Sequence, residues 1–380
     1  MTLSLFSRIT FGFVFCVIAA VATAAAPIEI PGAQPQLTVA ADGRVWLAYG
    51  RVGEPIAAPA SSSGGHGHHG GPRPEGDVLV AHSEDGGVTF SPSTKIGTVQ
   101  NLMLGMRRGP RIAVHGDRIT VTVIGPELFS FVSGDGGKTW SDPVTINDVP
   151  TSAREGLHDL AGSAQGELFV TWLDLRNGTM ELWGAASTDG GLTWAKNQRV
   201  YRSSGKSICE CCHPSALFDE QGHLAIMWRN AVDGSRDMWM TTRESGAVEF
   251  TPARKLGEGT WKIEGCPMDG GRILAFGDGQ FGAVWQRNGE IFLTRGDGPE
   301  ITLGKGKQPV AVHPRDGALT VFWQQGADLV GLTDIEKPVA VKQVSDARFP
   351  SVAALPGGKG MLVAYERGPK DAPTIAVERR

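Results

Sequence analysis

Three copies of one short motif govern what this chain can fold into: Ser83-Glu-Asp85-Gly-Gly-Val-Thr-Phe90, Ser133-Gly-Asp135-Gly-Gly-Lys-Thr-Trp140 and Ser187-Thr-Asp189-Gly-Gly-Leu-Thr-Trp194. Each has the chemistry of a hairpin turn. The Asp side chain can hydrogen-bond the backbone two residues on, and the Gly pair accepts positive φ. The aromatic that ends each copy is expected to pack on the body of its sheet. A longer repeat encloses the motif. It opens on a Pro or equivalent, runs through alternating apolar residues, crosses a Gly-containing turn and ends near an aromatic. Seven copies begin near Pro35, Pro110, Leu157, Pro214, Pro267, Pro309 and Pro350. Leu37 to Tyr49, Ala216 to Trp228, Val310 to Trp323 and Val352 to Tyr365 are examples. Each reads as two strands and a turn, and a second hairpin follows each of the first six. Two hairpins make a four-stranded blade, and a period of roughly 40–55 residues is that of a propeller. The 52 Gly and 10 Trp among 380 residues suit many tight turns joining short, aromatic-rich strands.

The S-x-D-G-G-x-T-W pattern resembles the Asp box of the sialidase superfamily. The resemblance implies an all-β chain with a single propeller domain over 27–380, whose Asp-box turns serve structure rather than catalysis. The repeat count favours seven blades; six, as in familiar sialidases, is the alternative. The last unit has three strands, ending at Thr374 to Val377, and Ile28-Glu-Ile30 is expected to supply the fourth. That would close the ring by joining the two ends of the chain and leave no open sheet edge. Residues 54–75, rich in Pro, Gly, Ser and His, read as a loop inserted in the first blade.

Ahead of the propeller, residues 1–26 read as a secretory signal peptide. Arg8 supplies the positive start, Phe11 to Val21 is apolar but too short to span a bilayer, and Ala22-Thr23-Ala24 and Ala24-Ala25-Ala26 offer cleavage sites. No later segment is apolar enough to span. The mature chain is expected in the periplasm or outside the cell, as a monomer off the membrane. Its formal charge of −4, with no long run of one sign, argues against nucleic acid as a partner.

In the fold that the resemblance implies, each innermost strand starts on one face of the ring. The loop between second and third strands opens on that same face, opposite the Asp boxes. The strand starts bring Arg107-Arg108-Gly-Pro110-Arg111, Arg154-Glu155-Gly-Leu-His158-Asp159, Cys209-Glu-Cys211-Cys212-His213, Glu264-Gly-Cys266-Pro-Met268-Asp269, Lys305, Lys307 and Arg348. The loops add Asp174, Arg176, Asn177, Arg229, Asn230, Arg236, Asp237 and Arg287, with His66, His68 and His69 from the insertion. Charged and polar residues converging on one mouth mark the expected site of a small-molecule or glycan ligand.

Cys209, Cys211, Cys212 and His213 suit copper(I) or zinc, with Cys266 as a fourth candidate ligand. The spacing differs from the paired C-x-x-C of a zinc finger. In an exported protein the alternative is disulfides, with Cys209 or Cys211 bridging to Cys266.

Sialidases clamp a substrate carboxylate with three arginines, whose planar guanidinium groups pair with carboxylate through two parallel hydrogen bonds. They use a Tyr nucleophile assisted by a Glu, and an Asp acid. This chain lacks the F-R-I-P-type motif of the first arginine. The substrate-binding candidates are Arg108, Arg111, Glu155, His158, Arg176, Arg229, Arg236, Asp237, Asp269 and Arg348. Tyr365 beside Glu366 is the candidate nucleophile pair, and Asp159 and Asp174 lead the acids, with Asp237 and Asp269 behind them. Three functions follow: a glycan-active or glycan-binding propeller, an exported metal or redox protein, and an interaction scaffold.

Overall fold

A computed structural model describes residues 26–53, 74–314, 317–336 and 338–380. The signal peptide read over 1–26 lies outside these but for Ala26, as does residues 54–73 of the insertion with its three histidines.

The described chain is all-β, built as seven four-stranded antiparallel sheets. Blade 1 is β2 (Ala33–Val39), β3 (Val45–Val52), β4 (Gly76–Ser83) and β5 (Thr94–Val99). Blade 2 is β6 (Arg111–His115), β7 (Arg118–Ile124), β8 (Leu128–Ser133) and β9 (Val144–Thr145). Blade 3 is β10 (His158–Gly162), β11 (Leu168–Asp174), β12 (Glu181–Ser187) and β13 (Gln198–Tyr201). Blade 4 is β14 (Ser215–Phe218), β15 (Leu224–Arg229), β16 (Met238–Arg243) and β17 (Arg254–Lys255). Blade 5 is β18 (Arg272–Ala275), β19 (Phe281–Arg287), β20 (Glu290–Thr294) and β21 (Ile301–Lys305). Blade 6 is β22 (Lys307–Val312), β23 (Thr320–Gln325), β24 (Asp328–Leu332) and β25 (Val341–Ser345). Blade 7 takes β26 (Arg348–Ala354), β27 (Met361–Arg367) and β28 (Thr374–Arg379) from the C-terminus and β1 (Ile28–Pro31) from the N-terminus. The register runs Ile28 opposite Val377 and Ile30 opposite Ile375, so the expected closure holds and the ring has seven blades. The first strands of successive blades touch one another all the way round, β26 returning to β2, and so line the axis.

The apolar residues on both faces of the inner strands explain where the core sits. Seven clusters of buried side chains fill the seven gaps between neighbouring blades. One joins Trp46, Ala48, Val78 and Val80 of blade 1 to Ile112, Ile119, Val121 and Val123 of blade 2. In six of the seven blades an aromatic near the end of the second strand, Tyr49, Trp172, Trp228, Trp285, Trp323 or Tyr365, is fully buried in this packing.

The Asp boxes act between blades as well as within them. Ser83 Oγ accepts from Gly87 N (2.8 Å) and donates to Asp85 Oδ1 (2.7 Å). Asp85 also accepts from Val88 N, Thr89 N and Thr89 Oγ1. The second glycine then lies flat against the blade before. A Cβ on Gly87 would meet Leu362 at 2.5 Å, on Gly137 it would meet Trp46 at 2.6 Å, and on Gly191 it would meet Thr120 at 2.7 Å.

The fifth innermost strand begins at Arg272, later than the repeat near Pro267 suggested. The intervening segment is a loop pressed onto blade 4, where a Cβ on Gly270 would lie 2.0 Å from the His213 carbonyl oxygen.

Gly137→Ala should destabilise the fold by about 1–3 kcal/mol, because it adds steric overlap to an unfavourable φ. Gly116→Ala, which also sits at positive φ but faces open space, is the control. Denaturant unfolding of both variants checks this; equal losses would mean that inter-blade packing of the Asp box contributes nothing.

Candidate functional site

Prolines shape one end of the ring. Gln34, Gln308 and Phe349 precede Pro35, Pro309 and Pro350 and hold φ of 56°, 55° and 49°. That left-handed geometry is costly for these residues, and more so before proline. It breaks the pairing register at the start of β2, β22 and β26 and turns each N–H towards the blade before. A side chain there accepts it. Gln34 N donates to Glu366 Oε1 at 2.6 Å, Gln308 N to Asp269 Oδ2 at 2.6 Å, and Phe349 N to Gln324 Oε1 at 3.3 Å.

Around these kinks opens a cleft of about 910 Å³. Arg51, Lys307, Arg348 and Lys370 face Asp269, Glu366 and Asp371 across it, with Leu104, Met106, Met268 and Phe349 as its apolar part. Asp269 and Glu366 are almost fully buried, at 1% and 5% exposure. Each has one oxygen held by a pre-proline N–H. The other Glu366 oxygen lies 4.0 Å from Arg348 Nε, and the other Asp269 oxygen has no hydrogen-bond partner. Burial pushes the Asp269 carboxyl up to about 6, against the Gln308 N–H and the charges of Arg229 and Arg107. Burial also raises Glu366, against its hydrogen bonds from Gln34.

The axis itself is nearly closed. A void of about 40 Å³ there is lined from all seven blades, including Arg107, Arg111, Asp159, His213 and Arg272. Arg107 reaches from the start of blade 2 to Gln308 of blade 6 (2.8 Å to Oε1, 3.0 Å to its carbonyl) and to the Pro350 carbonyl of blade 7 (2.5 Å). Asp159 accepts from Ala216 N and pairs with Arg111 and Arg272, each at 3.3 Å.

Of the candidate catalytic and substrate-binding residues, three line the cleft: Asp269, Glu366 and Arg348. Arg348 Nη2 also donates to the Gly368 carbonyl. Most of the other arginines are bound into the scaffold. Arg229 is buried and donates to the carbonyls of Asp269, Arg236 and Gln286. Arg176 pairs with Asp174 and Asp148 and stacks 3.8 Å above Trp183. Arg108 donates to the Glu155 carbonyl, Arg111 to those of Arg107, Gly109 and Pro110, and Arg236 to that of Ser235. Asp174 is buried and accepts from Ser152, Trp172 and Arg176, which hold its carboxyl below the usual range although burial opposes this. Asp237 accepts from Trp261 N and lies 3.6 Å from Lys255. His158 is buried with Nε2 3.1 Å from Thr122 Oγ1, and burial keeps it neutral. Tyr365 fills the core between blades 6 and 7, and its hydroxyl bonds Glu378. It holds the structural aromatic position of its blade and turns away from the cleft that its neighbour Glu366 lines. Lys307, Lys370, Gln308 and Gln324 line the cleft without having been singled out as ligands, and Arg107 closes the axis; the recurrent X-Pro at strand starts was the available signal.

Cys209, Cys211 and Cys212 form a compact group, their sulfurs all within 4.8 Å of one another. Cys209 Sγ is 3.1 Å from Cys212 Sγ and 3.7 Å from Cys211 Sγ. Burial opposes ionisation of Cys212. Hydrogen bonds from Cys209 and Cys211, the Arg229 charge and the Asp269 N–H outweigh it and hold the thiol well below its ordinary value. All four described cysteines are free thiols, and Cys266 is exposed and outside the group. His213 lies against the loop after Cys266, its Nδ1 and Nε2 at 3.2 and 3.4 Å from the Gly270 and Gly271 nitrogens.

The fold defines a seven-bladed β-propeller with three Asp-box turns. No family model matches the sequence, and no curated protein matches it. Solved propellers do match its structure. An α-L-arabinanase of Penicillium chrysogenum, complexed with arabinobiose, is 14% identical with a TM-score of 0.52, covering 74% of this chain and 97% of its own. YCF48 bound to D1 peptide is 11% identical with a TM-score of 0.54, covering 94% and 96%. A mutant Trypanosoma rangeli sialidase with trans-sialidase activity is 13% identical with a TM-score of 0.50, covering 94% and 57%. At such identities the likeness shows the fold alone.

The contrast between Arg229 and Arg348 is testable. Arg229→Ala strands two buried carbonyls and a half-buried one and should cost about 2–4 kcal/mol of stability. Arg348→Ala, at the cleft wall, should cost less than about 1 kcal/mol. Thermal unfolding of the two variants measures the difference, and equal losses would contradict these assignments.

Proposed function

We propose that this chain binds an anionic sugar in the cleft at the mouth of the ring. The observation that carries the reading is the lining: Arg51, Lys307, Arg348 and Lys370 surround two carboxyl groups that each keep one oxygen outside the scaffold's hydrogen bonds. Four basic side chains face three carboxyls across the cleft, so its field favours an anionic ligand. A guanidinium that is partly held by Gly368 and Asp346 is already oriented for a carboxylate. The neighbouring arabinanase and sialidase structures support a sugar as the ligand class. The Tyr–Glu arrangement of a sialidase gains no support, since Tyr365 is a core residue.

Titration calorimetry with sialic, glucuronic and galacturonic acids tests the reading. Binding should weaken roughly 10–100-fold in Arg348→Ala, the loss of a charged hydrogen bond. No binding to any acidic sugar would end the proposal. It would leave a protein-interacting propeller, as in the structure of YCF48 bound to D1 peptide.

We also propose export to the periplasm or beyond, as the segment over 1–26 supports. N-terminal sequencing of protein from fractionated cells should find a start near Pro27; an intact Met1 on cytoplasmic protein would refute this.

A further inference from the structure

We propose that Cys209, Cys211 and Cys212 form a three-coordinate binding site for copper(I). The inference is independent of the sugar-binding reading. Three sulfurs sharing one ion at about 2.3 Å would stand about 4 Å apart. Here two of the separations are 3.1 and 3.7 Å, and all three sulfurs lie within 4.8 Å of one another. A small closing or opening of side-chain torsions brings them to that geometry.

Three thiolates around one copper(I) leave a charge of −2, and the buried Arg229 guanidinium and the Asp269 N–H both lie beside Cys212. Cys209 and Cys212 are buried while Cys211 is half-buried, which gives the ion a way in.

The ligand count selects the metal. Structural zinc takes four protein ligands, and copper(I) is satisfied by three soft ones. Among the described residues no fourth His, Cys, Asp or Glu atom joins the cluster. His213 is next in sequence, but its two ring nitrogens face the Gly270 and Gly271 N–H groups of the blade 5 loop. Cys266 is exposed and apart. A single Cys209–Cys212 disulfide would account for two of the three sulfurs and leave the convergence of Cys211 unexplained.

The test is an anaerobic titration of the untagged full chain with copper(I), in competition with bathocuproine disulfonate, followed by alkylation and mass spectrometry. One copper(I) per chain is expected, with Cys209, Cys211 and Cys212 protected from alkylation and Cys266 labelled. Cys211→Ser should weaken binding by more than the ~10–100-fold that an outer-shell change costs, and Cys266→Ser should leave it unchanged. If Cys211→Ser fails to fold, the alkylation pattern of the unaltered chain decides alone. Labelling of Cys211 in the copper-loaded protein, tighter binding of zinc than of copper(I), or a Cys209–Cys212 disulfide in protein extracted under alkylating conditions would each overturn the proposal.

Discussion

The packing of one blade's apolar face on the next holds this molecule together. No blade has a core of its own: each four-stranded sheet is a thin layer with buried side chains on both faces. Stability therefore resides in seven interfaces, six between blades consecutive in the chain and one between blades 7 and 1, which come from its two ends. The Asp box serves this constraint directly. Its Ser and Asp fold the turn tightly, and its second glycine removes the Cβ that would hold the neighbouring blade away. The loss of a side chain here is what lets Trp46 and Leu362 come close.

The same inter-blade logic governs the polar mouth. Most of its arginines end on backbone carbonyls of a neighbouring segment, because strand ends at the ring's rim expose acceptors that a buried interface must satisfy. The pre-proline kinks are the donor side of that problem: each turns an N–H out of its ladder, and Glu366, Asp269 or Gln324 receives it. Anchoring by one oxygen also fixes the carboxylates against the cleft wall, so the scaffold's need for acceptors and the orientation of the cleft's acidic groups have one cause.

The fold was legible because its signals are local. Hairpin chemistry is written within eight residues of each Asp box, and counting units showed that the last blade lacked a strand. Site roles were less legible, since they depend on partners in other blades. Nothing around Arg229 in sequence tells that its fork is filled by Asp269 and Gln286, nor around Arg176 that Asp148 of the blade before shares it with Asp174. Tyr365 and Glu366 are adjacent in the chain, yet strand alternation sends one into the core and the other to the cleft. The cysteines were legible as a cluster, but not that Cys209 and Cys212 would meet while His213 turned aside and Cys266 stayed apart.

The seam in blade 7 has a kinetic consequence. β1 pairs with β28, so the first strand to leave the ribosome waits for the last. Until Val377 arrives, Ile28 and Ile30 have no ladder to join, and the interface between blades 7 and 1 lacks half its side chains. The ring cannot be finished before β28 is made, and its completion joins Ile28 to Val377, the kind of distant contact that slows folding most. What then forms has no terminal repeat to fray, unlike an open array of the same units.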